Sequence, residues 1–302
     1  MTIAIEDAIA RIPGWDKASS VRIIPLSGGT TNLNYRVDID GEAFVVRLWA
    51  KGVELLGVDR IREYRCAVAA SRTGVAPEVV HFLPEQGITV TRFLQGRRLS
   101  REEMTRPDVL KRVVQAMQRY HAGPPFEGTF SLFHAIDDYL QVAGRHRTPL
   151  PDDVDALNRR VCEIGAALQR GQALVRPCHN DLWWENLIDD GIRVHIVDWE
   201  YAAMGDACFD LASVARHYSP SGAMDEALLQ AYFGHVSPEA QTRLKLLKIA
   251  GEFREALWYV VAVHVASVTT GFAESARTHF DRCRQALADP RVQSWIDQTA
   301  HG

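Results

Sequence analysis

Cys178-His179-Asn180-Asp181-Leu182-Trp183-Trp184-Glu185-Asn186, followed a few residues later by Ile196-Val197-Asp198-Trp199-Glu200, is the most informative segment of this chain. It reads H-x-D-x-x-x-x-N, then an apolar run that closes on a second Asp. Phosphoryl transfer asks for this set: one carboxylate to accept a hydroxyl proton, and an Asn and a further Asp to hold Mg²⁺. Asp190-Gly191 is a turn signal, so Leu187 to Asp198 reads as a hairpin. Paired strands lie about 4.8 Å apart, which lets Asn186 and Asp198 share a metal at one end of it. Mg²⁺ takes oxygen ligands and keeps several waters, so one carboxylate, one amide oxygen and nucleotide phosphates suffice. Asp181 then sits where a substrate hydroxyl approaches, as the catalytic base. Taken alone it also suits a cap or turn.

His179 is counted with this catalytic loop, chiefly as scaffold, its imidazole anchoring backbone beside the base. No second His or Cys stands at ligand spacing from it.

Outward from this segment, the chain changes character once. Before about residue 95 it reads as strands. Val21 to Leu26 runs into Ser27-Gly28-Gly29-Thr30-Thr31-Asn32. Alternating Leu33, Tyr35, Val37 and Ile39 then meet the Asp40-Gly41 hairpin signal and Phe44 to Leu48. A helix over Asp59–Ser71 and two short strands, Val79–Phe82 and Ile88–Thr91, complete that part. From Ser100 the spacing is helical: Val109, Leu110, Val113, Val114, Met117 and Tyr120 mark one apolar face. Further helices are expected over Val154–Leu168, Cys208–His217, Met224–Phe233 and Pro238–Thr270. The only later strands expected flank Asp190-Gly191. The pattern is α+β: a small antiparallel-sheet lobe over residues 1–95 and a larger, mainly helical lobe over 96–302.

Bulk composition narrows the function classes. The 302 residues are 47% hydrophobic and 24% charged, as expected of a globular chain with a sizeable core. A net charge of −4 argues against a general nucleic-acid binder. The five cysteines are scattered and form no C-x-x-C, which reads as reduced thiols. With no signal peptide at the N-terminus and no apolar run long enough to span a membrane, a cytoplasmic location is expected.

Other residues carry weaker signals. The segment Ser27 to Asn32 could fold its N–H groups over nucleotide phosphates, although a Gly-Gly pair equally suits a plain hairpin. It fits neither the P-loop nor the Rossmann pattern. Arg47 ends a strand and Glu63 lies on the next helix, positions suited to an ion pair that orients the α/β-phosphates. Asp210 is either a helix N-terminal carboxylate or a group that reaches back to the catalytic loop. Arg97, Arg98 and Arg101 read as a solvated basic face.

Together these residues resemble the choline/ethanolamine kinase family, in the aminoglycoside-phosphotransferase-like group with the protein-kinase-like fold. The resemblance covers roughly residues 21–288. Leu26 to Asn32 is similar to that family's nucleotide loop, and Val46-Arg47-Leu48 to its third strand. Gly87 to Leu94 resembles its hinge, which implies backbone contacts to adenine near Arg92 and Leu94. His179-Asn180-Asp181 and Asp198-Trp199-Glu200-Tyr201-Ala202 match its two most specific motifs. Leu257-Trp258 and Gly271-Phe272 resemble its choline-site segment.

The resemblance implies ATP and Mg²⁺ as cofactors, with Asp181 as base and Asn186 and Asp198 as metal ligands. It also implies transfer to the primary hydroxyl of a small amino alcohol, choline or ethanolamine. Glu200 and Tyr201 are then expected near the second metal or the substrate, with Trp258 and Phe272 as aromatic walls for the ammonium. Glu255 departs from the pattern, standing one turn before Trp258 where the family usually has another Trp. A carboxylate there suits an ammonium with N–H groups better than a trimethylated one. Trp183 and Trp184 either roof the acceptor site or only pack the lobe. The same chemistry on thiamine, an aminoglycoside, homoserine or a sugar stays open. A pseudokinase regulator would keep the fold but commonly lacks the base or a metal ligand, and this chain lacks neither.

Overall fold

Asp40 and Gly41 both have positive φ, 47° and 88°. That pairing suits a two-residue hairpin turn, because its twist matches that of the flanking strands. It joins β2 (Asn32–Ile39) to β3 (Glu42–Trp49) in the register Ile39↔Glu42 through Asn32↔Trp49. The computed structural model describes residues 3–27, 32–218, 222, 224–266 and 269–301. Gly28, Gly29, Thr30 and Thr31 lie outside the described residues.

With β1 (Val21–Leu26), β4 (Val79–Leu83) and β5 (Ile88–Arg92), the hairpin forms a five-stranded sheet ordered β1-β2-β3-β5-β4. All its pairings are antiparallel. Phe44, Val46 and Leu48 alternate along β3 on a buried face, covered by Ile5, Ile9, Ile12 and Trp15 from α1 (Ile5–Ile9) and the turn after it. The period of two puts Val45 and Arg47 on the other face, toward the cleft. α2 (Arg60–Ser71) starts where expected, because the Asp59 carboxylate caps it by accepting from the Ile61 and Arg62 N–H groups at 2.9 and 3.1 Å. That start puts Arg60 and Glu63 on one helix face, three residues apart.

The remaining chain is mainly helical. α3 (Pro107–His121), α4 (Leu132–His146) and α5 (Val154–Arg170) precede the catalytic loop. After it come α6 (Ala207–Tyr218), α7 (Asp225–Phe233), α8 (Pro238–Ala262), α9 (Phe272–Leu287) and α10 (Val292–His301). The apolar face expected on α3 is fully internal: Val109, Leu110, Val113, Val114, Met117 and Tyr120 are all buried. α8 is the spine, packing on α9, α6 and α4. Two hydrophobic cores result, one under the sheet and a larger one among the helices that also takes in Val53, Leu56, Cys66 and Ala70.

The expected hairpin is present as β8 (Leu187–Asp189) and β9 (Val194–Ile196). Two expectations are corrected. β6 (Arg97–Arg98), β7 (Val175–Cys178) and β10 (Ala203–Asp206) are further strands, with β6 paired to β8 and β10 to β7. Strands this short show no readable alternation, and Pro177 and Gly205 disguise two of them. α8 stops at Ala262 rather than Thr270, in a turn over 263–265 where His264 Nε2 meets the Thr148 hydroxyl at 2.7 Å. No helix among the described residues is long and apolar enough to cross a membrane.

Candidate active site

The catalytic loop is held from below by one carboxylate. Asp210, fully buried on the first turn of α6, accepts from the His179 and Asn180 N–H groups at 2.8 and 2.7 Å. It also accepts from the Tyr120 hydroxyl at 2.6 Å and lies 3.0 Å from His121 Nε2. Burial pushes its carboxyl up, but the donor set, His121 first, holds it below the usual range. Of its two readings, the one that reaches back to the loop holds. His121, Cys178 and Asp210 also lie close enough to be considered as a metal site. Burial raises the Cys178 thiol far above its ordinary value, and Asp210 is spent on donors, so the trio is scaffold.

Two left-handed residues shape the site. Asn180 (φ 65°) is stabilised there by its amide donating to the Tyr201 carbonyl at 2.9 Å. Asp198 (φ 67°) lies two residues beyond β9, in the cleft. His179 uses both ring nitrogens on backbone: Nε2 donates to the Val197 carbonyl at 3.0 Å, and Nδ1 accepts from the Asp181 N–H at 3.3 Å. That leaves it no nitrogen for proton transfer, as the scaffold reading requires.

Asp181, Asn186 and Asp198 line one cleft of about 850 Å³ between the sheet and the helices. The Asn186 amide nitrogen donates to the Asp181 carbonyl at 3.0 Å, which points its carboxamide oxygen the other way. The Val197 N–H donates to the Asn186 carbonyl at 3.0 Å, so the segments bearing Asn186 and Asp198 are paired neighbours. One amide oxygen and one carboxylate on adjoining segments form a hard oxygen donor set that fits Mg²⁺.

On the sheet side, Arg47 Nη1 meets Glu63 Oε1 at 2.9 Å, the pair expected from sequence, and also Asp198 Oδ1 at 2.8 Å. Burial opposes ionisation of Asp198, but Arg47 outweighs it, so its carboxyl lies below the ordinary range. Arg60, which the sequence reading missed, donates to Glu63 at 2.6 Å, Glu200 at 3.3 Å and the Asn32 side-chain oxygen at 2.7 Å. Its only signal was the Asp59 cap, which fixes the helix face it shares with Glu63. Asn32, at the end of the segment whose N–H groups were expected over phosphates, is buried, and its side-chain amide donates to Glu200 at 3.4 Å. Burial, then the charges of Asp198 and Glu63, push the Glu200 carboxyl up to about 8.

A raised carboxyl takes up a proton on folding. The stability it contributes is full below its ordinary 4.5 and is lost as pH rises through about 8. Glu200→Gln is therefore expected to flatten the fall in Tm across that interval. A fall as steep as wild type's would assign it to other groups.

The hinge departs from expectation in detail. The Arg92 and Phe93 N–H groups are taken by the Glu78 and Ala43 carbonyls, both at 2.9 Å. The Arg92 guanidinium lies over Phe44 and pairs with Glu42. Arg92 and Leu94 both line the cleft. So do Ser27, Arg98 and Arg101; all three arginines of the basic cluster are exposed, as the solvated-face reading has it, and Arg97 pairs with Glu103. Arg98 donates to the Ser27 carbonyl at 3.0 Å and lies 3.6 Å from Glu185, linking the nucleotide side to the catalytic loop.

At the far end, Glu255, Trp258, Trp183 and Trp184 line the cleft, together with Tyr259 and His217, which the sequence reading missed. Glu255 does not point to solvent: its Oε2 takes Arg216 at 2.8 Å and lies 3.6 Å from Arg254. Burial works against its ionisation, but the two arginines hold its carboxyl at about 2. Tyr201 and Phe272 do not line the cleft. Tyr201 accepts from Trp258 Nε1 at 2.7 Å, and Phe272 packs against Trp258 and Tyr259. Phe272, expected as a wall, and Tyr201, expected near the substrate, both stand behind Trp258.

The phosphotransferase enzyme family matches this chain over residues 22–247. The LicA protein of Haemophilus influenzae is 29% identical over 250 residues, covering 78% of this chain and 72% of that protein. Ethanolamine kinase 2 of Homo sapiens is 25% identical over 301 residues, covering 89% and 77%. Among solved structures, a choline/ethanolamine kinase family protein from Mesorhizobium loti superposes with a TM-score of 0.84 at 30% identity, covering 98% of each chain. The choline kinase LicA from Streptococcus pneumoniae shares the fold, with a TM-score of 0.79 at 23% identity over 94% of this chain and 97% of that one. A two-lobed α+β fold, the meeting of Asp181, Asn186 and Asp198 in one cleft and these likenesses agree: the chain belongs to the phosphotransferase enzyme family, in its choline/ethanolamine kinase group, and is a small-molecule kinase.

Proposed function

We propose that the protein transfers the γ-phosphoryl group of ATP, with Mg²⁺, to the primary hydroxyl of a small amino alcohol. The observation that carries this reading is the convergence of Asp181, Asn186 and Asp198 on one cleft, beside the Arg47–Glu63 pair. Strands within residues 1–95 cover the nucleotide, and the Leu94 segment borders its base. Residues 96–302 carry the chemistry. Asn186 and Asp198 would hold Mg²⁺, which supplies charge neutralisation on the phosphates. Asp181 accepts the hydroxyl proton as the alcohol oxygen attacks in line and ADP leaves. Its burial raises its carboxyl above the ordinary value, which favours proton acceptance.

The acceptor ammonium is read against Glu255 and Trp258. Glu255 Oε2 faces both arginines, whereas Oε1 takes no protein donor among the described residues. An ammonium bearing N–H groups can donate to that oxygen while its methylenes lie on the indole. A trimethylammonium cannot. The named relatives include both a choline kinase and an ethanolamine kinase. Ethanolamine is expected to exceed choline in kcat/KM by roughly tenfold, the worth of one charge-assisted hydrogen bond. A choline preference would place Glu255 outside acceptor recognition.

The test is ADP release from ATP and Mg²⁺ across a panel of amino alcohols, with EDTA as control. Turnover that needs both an amino alcohol and the metal supports the proposal. Nucleotide binding without turnover on any alcohol would favour a regulatory role.

A further inference from the structure

The catalytic base is not alone at its site. Arg254, on α8, is 1% exposed, and its Nη1 donates to Asp181 Oδ1 at 3.2 Å. The same nitrogen lies 3.6 Å from Glu255 Oε2, which in turn takes Nη2 of the equally buried Arg216 at 2.8 Å. Asp181, Arg254, Glu255 and Arg216 thus form a buried row of alternating charge. The Arg254 guanidinium also lies over the Tyr201 ring, 4.6 Å from its centroid, and the Tyr201 hydroxyl accepts from Trp258 Nε1 at 2.7 Å.

An arginine this deeply buried carries a large desolvation cost, which its ion pairs must offset. Nothing in the helix requires it there: neighbouring Phe253, Ala256 and Leu257 bury apolar side chains in the same core. Its position matters to the base in a direct way. A carboxylate free to rotate about χ2 presents either oxygen in many directions. One bound by Oδ1 to a fixed guanidinium presents Oδ2 in one. Misplacement by about 1 Å is enough to cost roughly 10²-fold in rate. The guanidinium is itself fixed by a ring whose hydroxyl is tied to the acceptor-site indole, so base and acceptor wall share one support.

We infer that Arg254 is a positioning residue for phosphoryl transfer, which holds the Asp181 carboxylate by Oδ1 and keeps Oδ2 for the acceptor hydroxyl. This deepens, and rests on, the reading of Asp181 as the base. Glu255 and Arg216 belong to the same device, since they hold Arg254 between two carboxylates instead of letting it close on Asp181 alone. Arg254 and Glu255 lie beyond residue 247, outside the span that the family match covers, whereas Asp181 and Arg216 lie within it.

The test uses the full chain and steady-state ADP release with ATP, Mg²⁺ and the best amino alcohol. Arg254→Met is expected to lower kcat by about 10²-fold with the KM for ATP within threefold of wild type. Arg254→Ala is expected to regain at least tenfold in kcat when guanidinium is added, and Asp181→Asn to regain nothing. A loss in kcat without a loss in nucleotide binding, together with guanidinium rescue, is not what a merely structural role gives. Wild-type kcat in Arg254→Met would overturn the inference, as would a loss that guanidinium does not restore. Where Arg254→Met fails to fold, Arg254→Lys is read instead: kcat down about tenfold at unchanged KM for ATP supports the role, and unchanged kcat overturns it. The two readings fail separately, since an Asp181→Asn enzyme with wild-type kcat removes the base itself, whatever Arg254 does.

Discussion

Asp181→Asn is expected to lower kcat by about 10²–10⁴-fold while the KM for ATP stays close to wild type. Asn keeps the shape of the side chain and an oxygen for Arg254 Nη1, which now sits 3.2 Å from Oδ1. It removes the capacity to take a proton. The nucleotide side of the cleft, held by Arg47, Glu63 and Asp198, does not touch this change. The effect therefore falls on the chemical step, and kcat and kcat/KM should drop together. Steady-state ADP release at saturating amino alcohol measures it. A variant within threefold of wild type would remove Asp181 from the mechanism.

Asp210→Ala is expected to carry the largest stability cost of any single substitution near the site, about 3–5 kcal/mol. The Asp210 carboxylate takes two backbone N–H groups, the Tyr120 hydroxyl and a His121 contact, and all are buried. Removing it strands those donors without water, and each stranded group costs about 1–3 kcal/mol. Activity should fall as well, since Asn180 and His179 lose the anchor that fixes the loop bearing Asp181. Urea denaturation followed by circular dichroism measures the first effect. A loss under 1 kcal/mol would mean that the loop is held by other contacts, such as the Asn180 amide on the Tyr201 carbonyl. The sign with pH follows from the lowered carboxyl: its stabilisation is present above the ordinary aspartate value and is lost below it, as pH falls through the lowered one.

What could be read in advance follows from how local each feature is. Asp181, Asn186 and Asp198 lie within one short stretch at fixed offsets, so their meeting in one cleft was visible in the spacing. The Asp40-Gly41 turn and the Asp59 cap announce their elements by the residues that such geometry needs. Arg47 and Glu63 were found because a strand and the helix after it form one local unit. Arg254 was not, since its partner lies 73 positions away and a charged residue on an apolar helix gives no hint of which face it takes. Arg216 escaped for the same reason, its partner Glu255 lying 39 positions away. Asn32 was read with its glycine-rich neighbours, although it already belongs to β2 and faces inward. Tyr201 and Phe272 were credited with substrate contact because aromatic type alone does not separate a wall from its backing.

The acceptor end is also where this chain speaks most for itself. The family match closes at residue 247, before Arg254, Glu255 and Trp258. In that part of α8, Arg254 meets Asp181 and Glu255, and Glu255 in turn takes the buried Arg216 of α6.

The most direct measurement is phosphorus NMR of a reaction holding ATP, Mg²⁺ and ethanolamine, run with the wild-type chain and with Asp181→Asn. The expected result is a phosphomonoester resonance coupled to the acceptor methylene, growing in step with ADP in the wild type and nearly absent in the variant. ADP appearing with inorganic phosphate alone, or no phosphomonoester from any amino alcohol in the panel, would contradict the account.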